Sequence, residues 1–301
     1  MHNRRALITE IKGHSLDDGP GIRSVIFFKG CPLACTWCHN PESIEPRPTL
    51  SYNKSACHHF EDCIPVCETQ AINPHNLFFI DRDRCTGCGK CVEVCASKAI
   101  TLVGKQMTVD EVIEQIKPYK PFFDNSGGGV TLSGGEATLY LDFCEALLIA
   151  LAALHIHVTL ETSGFFHQAH FLKKMYPYLD QIYFDIKLID SALHQKHCGQ
   201  KNKHILENFR TLKERSANNG VALLARVPLI PKVTATKENL SAIAEFLTTQ
   251  GEKQVALLPY NPLWHEKAQH IGLTYGQVND SWMSESALAQ CKKYFKGFTL
   301  V

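Results

Sequence analysis

Thirteen cysteines in 301 residues, ten of them between Cys31 and Cys95, constrain this chain more than any other feature of it. Cysteines packed that densely are either disulfide partners or metal ligands, and the two uses belong to different compartments. The opening residues, from Met1 through Arg4 and Arg5, give way too soon to Glu10 and Gly13 for the apolar core of a signal peptide, so a cytoplasmic chain is expected. There, tight and irregular spacings read as metal sites. Cys144, Cys198 and Cys291 stand singly in helical or loop patterns and read as small buried apolar residues. The longest apolar stretch, Ala146 to Leu154, is about half a membrane span, so no bilayer crossing is expected. With 31 basic against 30 acidic side chains, the chain lacks the basic excess of a phosphate-binding surface, which argues against nucleic acid as a partner.

Outside the cysteine-rich stretch, short β-rich runs alternate with longer helical ones. Strands are predicted at Ile22 to Gly30, Val130 to Gly135, His157 to Thr162, Gln181 to Lys187, Val221 to Ile230 and Gln254 to Tyr260, all rich in the residues of buried parallel strands. Helical periods cover Thr108 to Tyr119, opened by a capping box of Thr108 and Glu111, then Leu139 to Leu154, Phe171 to Tyr176, His204 to Ser216 and Leu240 to Thr249. This alternation predicts an α/β fold with a parallel sheet, open or closed into a complete or partial barrel, and active residues at the carboxyl ends of its strands.

Residues 51–104 break the rhythm. Their halves resemble one another: Cys63-x3-Cys67-x3-Ala71-Ile72 against Cys91-x3-Cys95-x3-Ala99-Ile100. The expected organisation is therefore 1–50 for the first strand and its loop, 51–104 for an inserted repeat, and 105–301 for the rest of the sheet. So small an insert has too little core to fold on packing alone, so bound metal is expected to stabilise it.

The loop after the first predicted strand carries Cys31-x3-Cys35-x2-Cys38. Three thiolates can hold three irons of a 4Fe–4S cube and leave the fourth open, whereas electron-transfer cubes normally take four thiolates. The competing reading of the triplet alone is a zinc site completed elsewhere, for instance by His39. With Trp37 before its last cysteine, the triplet resembles the radical S-adenosylmethionine superfamily. More narrowly, Asp18-Gly-Pro-Gly-Ile-Arg-Ser-Val-Ile-Phe-Phe-Lys-Gly-Cys31, running on to Cys38-His-Asn-Pro-Glu-Ser43, resembles the activating enzymes of glycyl radical enzymes, relatives of pyruvate formate-lyase activase. The likeness continues in family order through Asp124 to Glu136, Glu161 to Gly164, Asp185-Ile-Lys187, His194-x3-Cys198-Gly199, Arg226 to Pro231 and Leu257 to Leu263.

The resemblance implies a partial (β/α)6 barrel with a ferredoxin-like insert, in which Cys31, Cys35 and Cys38 hold the catalytic cube. It implies that Ser133, Gly134, Gly135 and Glu136 receive the methionine ammonium group of S-adenosylmethionine. Trp37, His39, Thr162, Asp185, Lys187, Arg226 and Asn261 are implied as further cofactor contacts, with a monovalent cation near Glu161 and Thr162. Read from the residues alone, Ser133 to Glu136 is a turn with a solvated acid, and Asp185 and Lys187 are equally a structural ion pair. Many relatives carry histidine where this chain has Asn261, an amide that hydrogen-bonds but does not titrate near neutrality.

In the insert, Cys85-x2-Cys88-x2-Cys91-x3-Cys95 has the spacing of a bacterial ferredoxin, whose fourth cysteine ligates the other cluster. Cys57, Cys63 and Cys67 match the first, third and fourth positions of the other half, but Phe60 occupies the second. One full set results, Cys67, Cys85, Cys88 and Cys91, and one short set, Cys57, Cys63 and Cys95. The short site is a 3Fe–4S centre, a cube completed by water, His58, His59 or Asp62, or an empty site. The implied activity is reductive cleavage of S-adenosylmethionine to methionine and a 5′-deoxyadenosyl radical, which removes hydrogen from a backbone glycine of a partner glycyl radical enzyme. A flavodoxin or ferredoxin is the expected reductant, and a monomer the expected state. The alternatives are a radical enzyme acting on a small molecule and a multi-cluster electron-transfer protein; the Ser133 to Glu136 and Asp185 to Lys187 strand ends oppose the latter, since a relay needs no cofactor pocket.

Overall fold

The computed structural model describes residues 4–275 and 279–301. The chain enters through β1 (Arg5–Ser15), turns through the Asp18 to Gly21 loop, and returns antiparallel as β2 (Arg23–Phe28). Arg23 pins that turn from inside the sheet: fully buried, it donates to Thr131 Oγ1 at 2.7 Å, to the Val130 carbonyl at 2.6 Å and to the Pro20 carbonyl at 3.1 Å. The triplet loop and the insert follow β2. The insert is framed by β3 (Thr49–Tyr52) and β4 (Ile100–Val103), paired antiparallel, with one short helical turn, α1 (Lys90–Glu93), between them.

A strand the alternation does not show, β5 (Lys105–Thr108), then pairs antiparallel with β1. Beyond it the alternation holds: α2 (Val109–Ile116), α3 (Lys120–Ser126), β6 (Gly129–Gly134), α4 (Leu141–Ala153), β7 (His157–Thr162), α5 (Gln168–Lys174), β8 (Gln181–Asp185), α6 (Ser191–Cys198), α7 (Lys203–Asn219), β9 (Ala222–Leu229), α8 (Lys237–Thr249), β10 (Gln254–Pro259), α9 (Trp264–His270), α10 (Glu285–Lys292) and β11 (Thr299–Leu300). The predicted capping box is present, with Glu111 N–H donating to Thr108 Oγ1 at 3.2 Å and Thr108 N–H to Glu111 Oε2 at 2.7 Å.

Nine of these eleven strands form one sheet in the order β11-β10-β9-β8-β7-β6-β2-β1-β5, parallel from β2 through β11. Neither edge pairs with the other among the described residues, so this is a partial barrel whose six predicted strands are all present. Two expectations need correction: the strand that leads to the triplet is the second, not the first, and β1 and β5 extend the sheet by antiparallel pairing. Both escape the βα rhythm because no crossover helix introduces them.

The barrel core is continuous from Ala6 to Phe295 and includes the buried face of α4, where Phe143, Cys144, Leu147, Leu148 and Leu151 pack on the sheet. Cys144 and Cys291 belong to this core, as lone cysteines commonly do. The insert has its own small core of eight buried residues, among them the repeated Ile72 and Ile100.

Candidate active site

The triplet occupies the loop just past the end of β2. Its backbone is held by neighbours: Cys31 N–H donates to the Ile44 carbonyl at 3.0 Å, and Ala34 and Thr36 N–H donate to the Cys198 and His197 carbonyls, each at 2.9 Å. The last two bonds come from the carboxyl end of α6, whose free carbonyls need donors. Within the loop, Cys38 N–H bonds the Cys35 carbonyl at 3.1 Å, closing a turn that brings the thiols within mutual influence. Burial pushes the Cys31 thiol up and the Cys38 thiol up to about 12. A bound metal displaces such protons to solvent, and three thiols on one loop form a donor set that fits a metal cluster.

Asp185 ends β8, with Lys187 just beyond, and the two pair at 2.9 Å. Arg226, from within β9, donates to Asp185 at 3.0 Å and to Glu161 at the end of β7, and Glu161 also accepts from Ser133 Oγ at 2.5 Å. The strand ends thus share one chain of hydrogen bonds and ion pairs from Ser133 to Lys187. Burial alone would raise the Asp185 carboxyl, but Lys187 and Arg226 hold it below the usual carboxylate range. Burial works against the Lys187 and Arg226 cations, and the carboxylates beside them more than reverse it. Lys187 is also close enough to Cys35 to act on its thiol, which places this network against the triplet.

Glu136 is not the solvated acid that a turn alone would leave. It is fully buried, and both its oxygens are engaged: Thr138 Oγ1 at 2.9 Å, Thr162 Oγ1 at 2.9 and 3.0 Å, Ser163 N–H at 2.9 Å and Ser163 Oγ at 2.6 Å. Burial pushes its carboxyl up, against these donors. It braces the ends of β6 and β7 rather than presenting a free carboxylate. The glycines before it serve a close backbone approach: a Cβ on Gly134 would meet Phe28 backbone atoms at 2.5 Å, and one on Gly135 the Gly30 carbonyl at 2.2 Å. Without side chains there, Gly135 and Glu136 N–H bond the Phe28 and Gly30 carbonyls, each at 2.8 Å, and lock the triplet loop to β6.

Trp37 is buried in a second apolar cluster with Leu33, Leu188, Cys198, Tyr260 and Trp264, beneath the loop. His39 lies 6.3 Å from the Tyr260 ring, its pKa lowered by burial to about 4 and its Nε2 buried without a partner. Asn261 accepts from Leu263 N–H at 3.3 Å, spending its amide on its own turn. Thr162 is tied to Glu136, and Glu161 to Arg226 and Ser133, so a cation there would have to displace part of this network.

Sequence reasoning missed two supports. Cys198 is a neighbour of the triplet as well as a core residue, packed in one cluster with Cys35 and acting on its thiol; its place in the His194-x3-Cys198-Gly199 run was the available signal. Lys267 of α9 reaches the residues after Cys38, at 3.0 Å from Asn40 Oδ1 and 3.2 Å from Glu42 Oε1. At the other end of α9, the His270 carbonyl accepts from Arg82 of the insert at 3.1 Å. One short helix touches both cysteine regions, and nothing in its own sequence announces that.

In the insert, Cys63 is under the influence of Cys95 and Cys57, and Cys91 of Cys85 and Cys88. Cys67 Sγ accepts Ala71 N–H at 3.2 Å and Cys95 Sγ accepts Ile100 N–H at 3.4 Å. Burial would raise both thiols, but these donors, with Thr69 and Ser97, hold them below the ordinary value, as suits sulfurs that serve as thiolates. Among the described residues no three His, Cys, Asp or Glu side chains converge on one metal ion. A cube asks for no such convergence, because each thiolate binds its own iron.

Comparison with known proteins bears on this arrangement. The profile described as the Radical SAM superfamily matches residues 82–247, a 4Fe-4S single cluster domain matches 17–72, and the LdpA Fe-S cluster-binding domain matches 55–106. The isethionate sulfite-lyase activating enzyme of Oleidesulfovibrio alaskensis is 39% identical over 263 residues, covering 85% of this chain and 84% of the relative. The choline trimethylamine-lyase activating enzyme of the same organism is 35% identical over 296 residues, covering 96% and 94%. The chain belongs to the radical SAM activating enzymes of glycyl radical enzymes. A radical SAM methyltransferase from Sphaerobacter thermophilus, 11% identical with a TM-score of 0.51, covers 98% of this chain and 76% of that one, and shows the shared fold alone. As a member of this family, the activating enzyme cleaves S-adenosylmethionine to generate a glycyl radical on a partner, and it carries an auxiliary iron–sulfur domain besides its radical SAM centre. No helix among the described residues is long and apolar enough to cross a membrane.

Proposed function

We propose that S-adenosylmethionine binds over the Cys31, Cys35 and Cys38 loop, against the carboxyl ends of β6, β7 and β8, and that this site activates a glycine of a partner protein. The observation that carries the reading is the charge network across the ends of β7 and β8 and Arg226 of β9, whose Lys187 and Asp185 are within electrostatic reach of Cys35. When bound, the reduced cube supplies one electron for cleavage of S-adenosylmethionine, whose adenosyl fragment takes the hydrogen atom from the glycine.

The protein's own residues bind and orient. Lys187 and Asp185 contact the cofactor, and Arg226 keeps Asp185 ionised and fixed. Gly134 and Gly135 offer backbone, while Glu136 and Thr162 hold that backbone still. Ser133 orients Glu161, His39 contributes its unpaired nitrogen, Trp37 packs beneath, and Asn261 shapes the turn after β10. The insert relays electrons through Cys67, Cys85, Cys88 and Cys91 from a flavodoxin or ferredoxin, and the enzyme works as a monomer in the cytoplasm of an anaerobe. The layout 1–50, 51–104 and 105–301 follows from this division of labour.

The test pairs two variants. Cys35→Ala abolishes dithionite-dependent formation of 5′-deoxyadenosine while the insert keeps its iron. Lys187→Ala weakens S-adenosylmethionine binding about ten- to hundredfold by calorimetry with iron content unchanged, as expected for loss of a charged hydrogen bond. Turnover retained in the first, or affinity unchanged in the second, removes the assignment.

A further inference from the structure

The two halves of the insert share a backbone as well as a spacing. Aligning Cys57 with Cys85 puts His59 on Gly87, Phe60 on Cys88 and Glu61 on Gly89. All four flanking residues are left-handed, with φ of 56° and 63° at His59 and Glu61 against 72° and 84° at Gly87 and Gly89. The match continues at Gln70 and Lys98, with φ of 52° and 54°, and Cys67 and Cys95 each accept a backbone N–H from just beyond, from Ala71 and from Ile100, donors one position apart in the alignment. Glycine adopts this conformation freely, whereas a side chain makes it costly. The first half therefore retains the ligand-loop geometry of a complete site while lacking one thiol.

The structure also shows what surrounds the missing corner. Cys57, Cys63 and Cys95 line a small cavity together with His59, Glu61 and Asp62. Phe60 also borders the cavity, though it is 61% exposed and stacks on His58, with ring centroids 5.9 Å apart, while His58 does not line it. On the inner side, the Tyr52 phenol is within electrostatic reach of Cys57, Cys63 and Cys95, and the three cysteines border the same cavity. Where the complete half has Gly87, with no side chain, the deficient half has an imidazole.

We propose that His59 is the fourth protein ligand of the Cys57, Cys63 and Cys95 centre, binding the iron that Phe60 leaves without a thiolate. This rests on the reading that the insert holds clusters. Imidazole suits iron, and it replaces thiolate on iron–sulfur centres elsewhere, whereas the carboxylates of Glu61 and Asp62 suit harder cations. A neutral ligand in place of a thiolate raises the reduction potential, which sets this centre apart from its all-cysteine neighbour.

The experiment is pulsed electron paramagnetic resonance on the anaerobically reconstituted, reduced full chain without S-adenosylmethionine, grown with ¹⁵N-histidine. A strong ¹⁵N coupling is expected in the wild type and its loss in His59→Ala. His59→Cys is expected to lose the coupling and lower the potential of one insert centre. No strong coupling in the wild type, or one that survives His59→Ala, overturns the proposal, as does a signal altered by Asp62→Ala alone. Iron sufficient for only the barrel cube would instead overturn the underlying cluster reading, and His59 ligation with it.

Discussion

The barrel site and the insert both gather cysteines, yet they are built by opposite means. The triplet is positioned from outside: α6 holds its backbone, α9 holds the residues after it, and Gly134 and Gly135 lock it to β6. Behind these contacts stands a core that runs the length of the barrel. The insert holds its thiols from within, on two copies of one short loop around eight buried residues. The difference separates a fold that precedes its metal from one that depends on it.

Iron removal tests that contrast most severely. Anaerobic chelation should expose the amides of residues 49–103 to rapid hydrogen exchange while the amides of β6 to β9 stay protected. Uniform loss of protection would mean that the two regions fold as one, with the Arg82 to His270 link binding them.

A smaller effect is expected from within the barrel's charge network. Arg226→Met leaves Asp185 and Glu161 buried without their shared cation, and should destabilise the protein by about 3–5 kcal/mol in urea unfolding. Cys88→Ala, by contrast, should leave the barrel transition in place and alter only the insert. If Arg226→Met costs nothing, the network is not what fixes the strand ends.

The weakest expected effect lies in α6, the helix that holds the triplet backbone. His194 in α6 is buried, and burial lowers its pKa despite the bond between its Nδ1 and the Gln200 carbonyl at 2.5 Å. The folded protein therefore binds this proton less readily than the unfolded chain, whose histidines titrate near about 6.5. Its contribution is fully present above that pH and is lost as pH falls through the lower folded value. His194→Gln should flatten barrel stability as pH falls below about 6.5, and an unchanged slope would assign the dependence elsewhere.

How much could be read before folding differs between the regions for the same reason. In the insert, ligands are close in sequence, so spacing alone separated Cys67, Cys85, Cys88 and Cys91 from Cys57, Cys63 and Cys95, and Phe60 stood out at once. What spacing could not show is that His59 and Glu61 keep the left-handed backbone of Gly87 and Gly89, because a dihedral angle is not written in residue order. In the barrel, periodicity marked the six parallel strands and their helices, since burial on both faces imposes an apolar run. It did not mark β1 and β5, which join by antiparallel pairing to a sheet already predicted.

The chain's own letters determined the βα alternation, the triplet and the repeated ligand loops, because each is local: a period, a turn or a spacing that neighbouring residues enforce by themselves. Only the tertiary structure decided that Glu136 turns inward to Thr162 and Ser163, that Cys198 stands beside Cys35, and that α9 reaches from Glu42 to Arg82. Those pairings join residues far apart in sequence, and buried polar groups find such partners only once the sheet has brought the strand ends together.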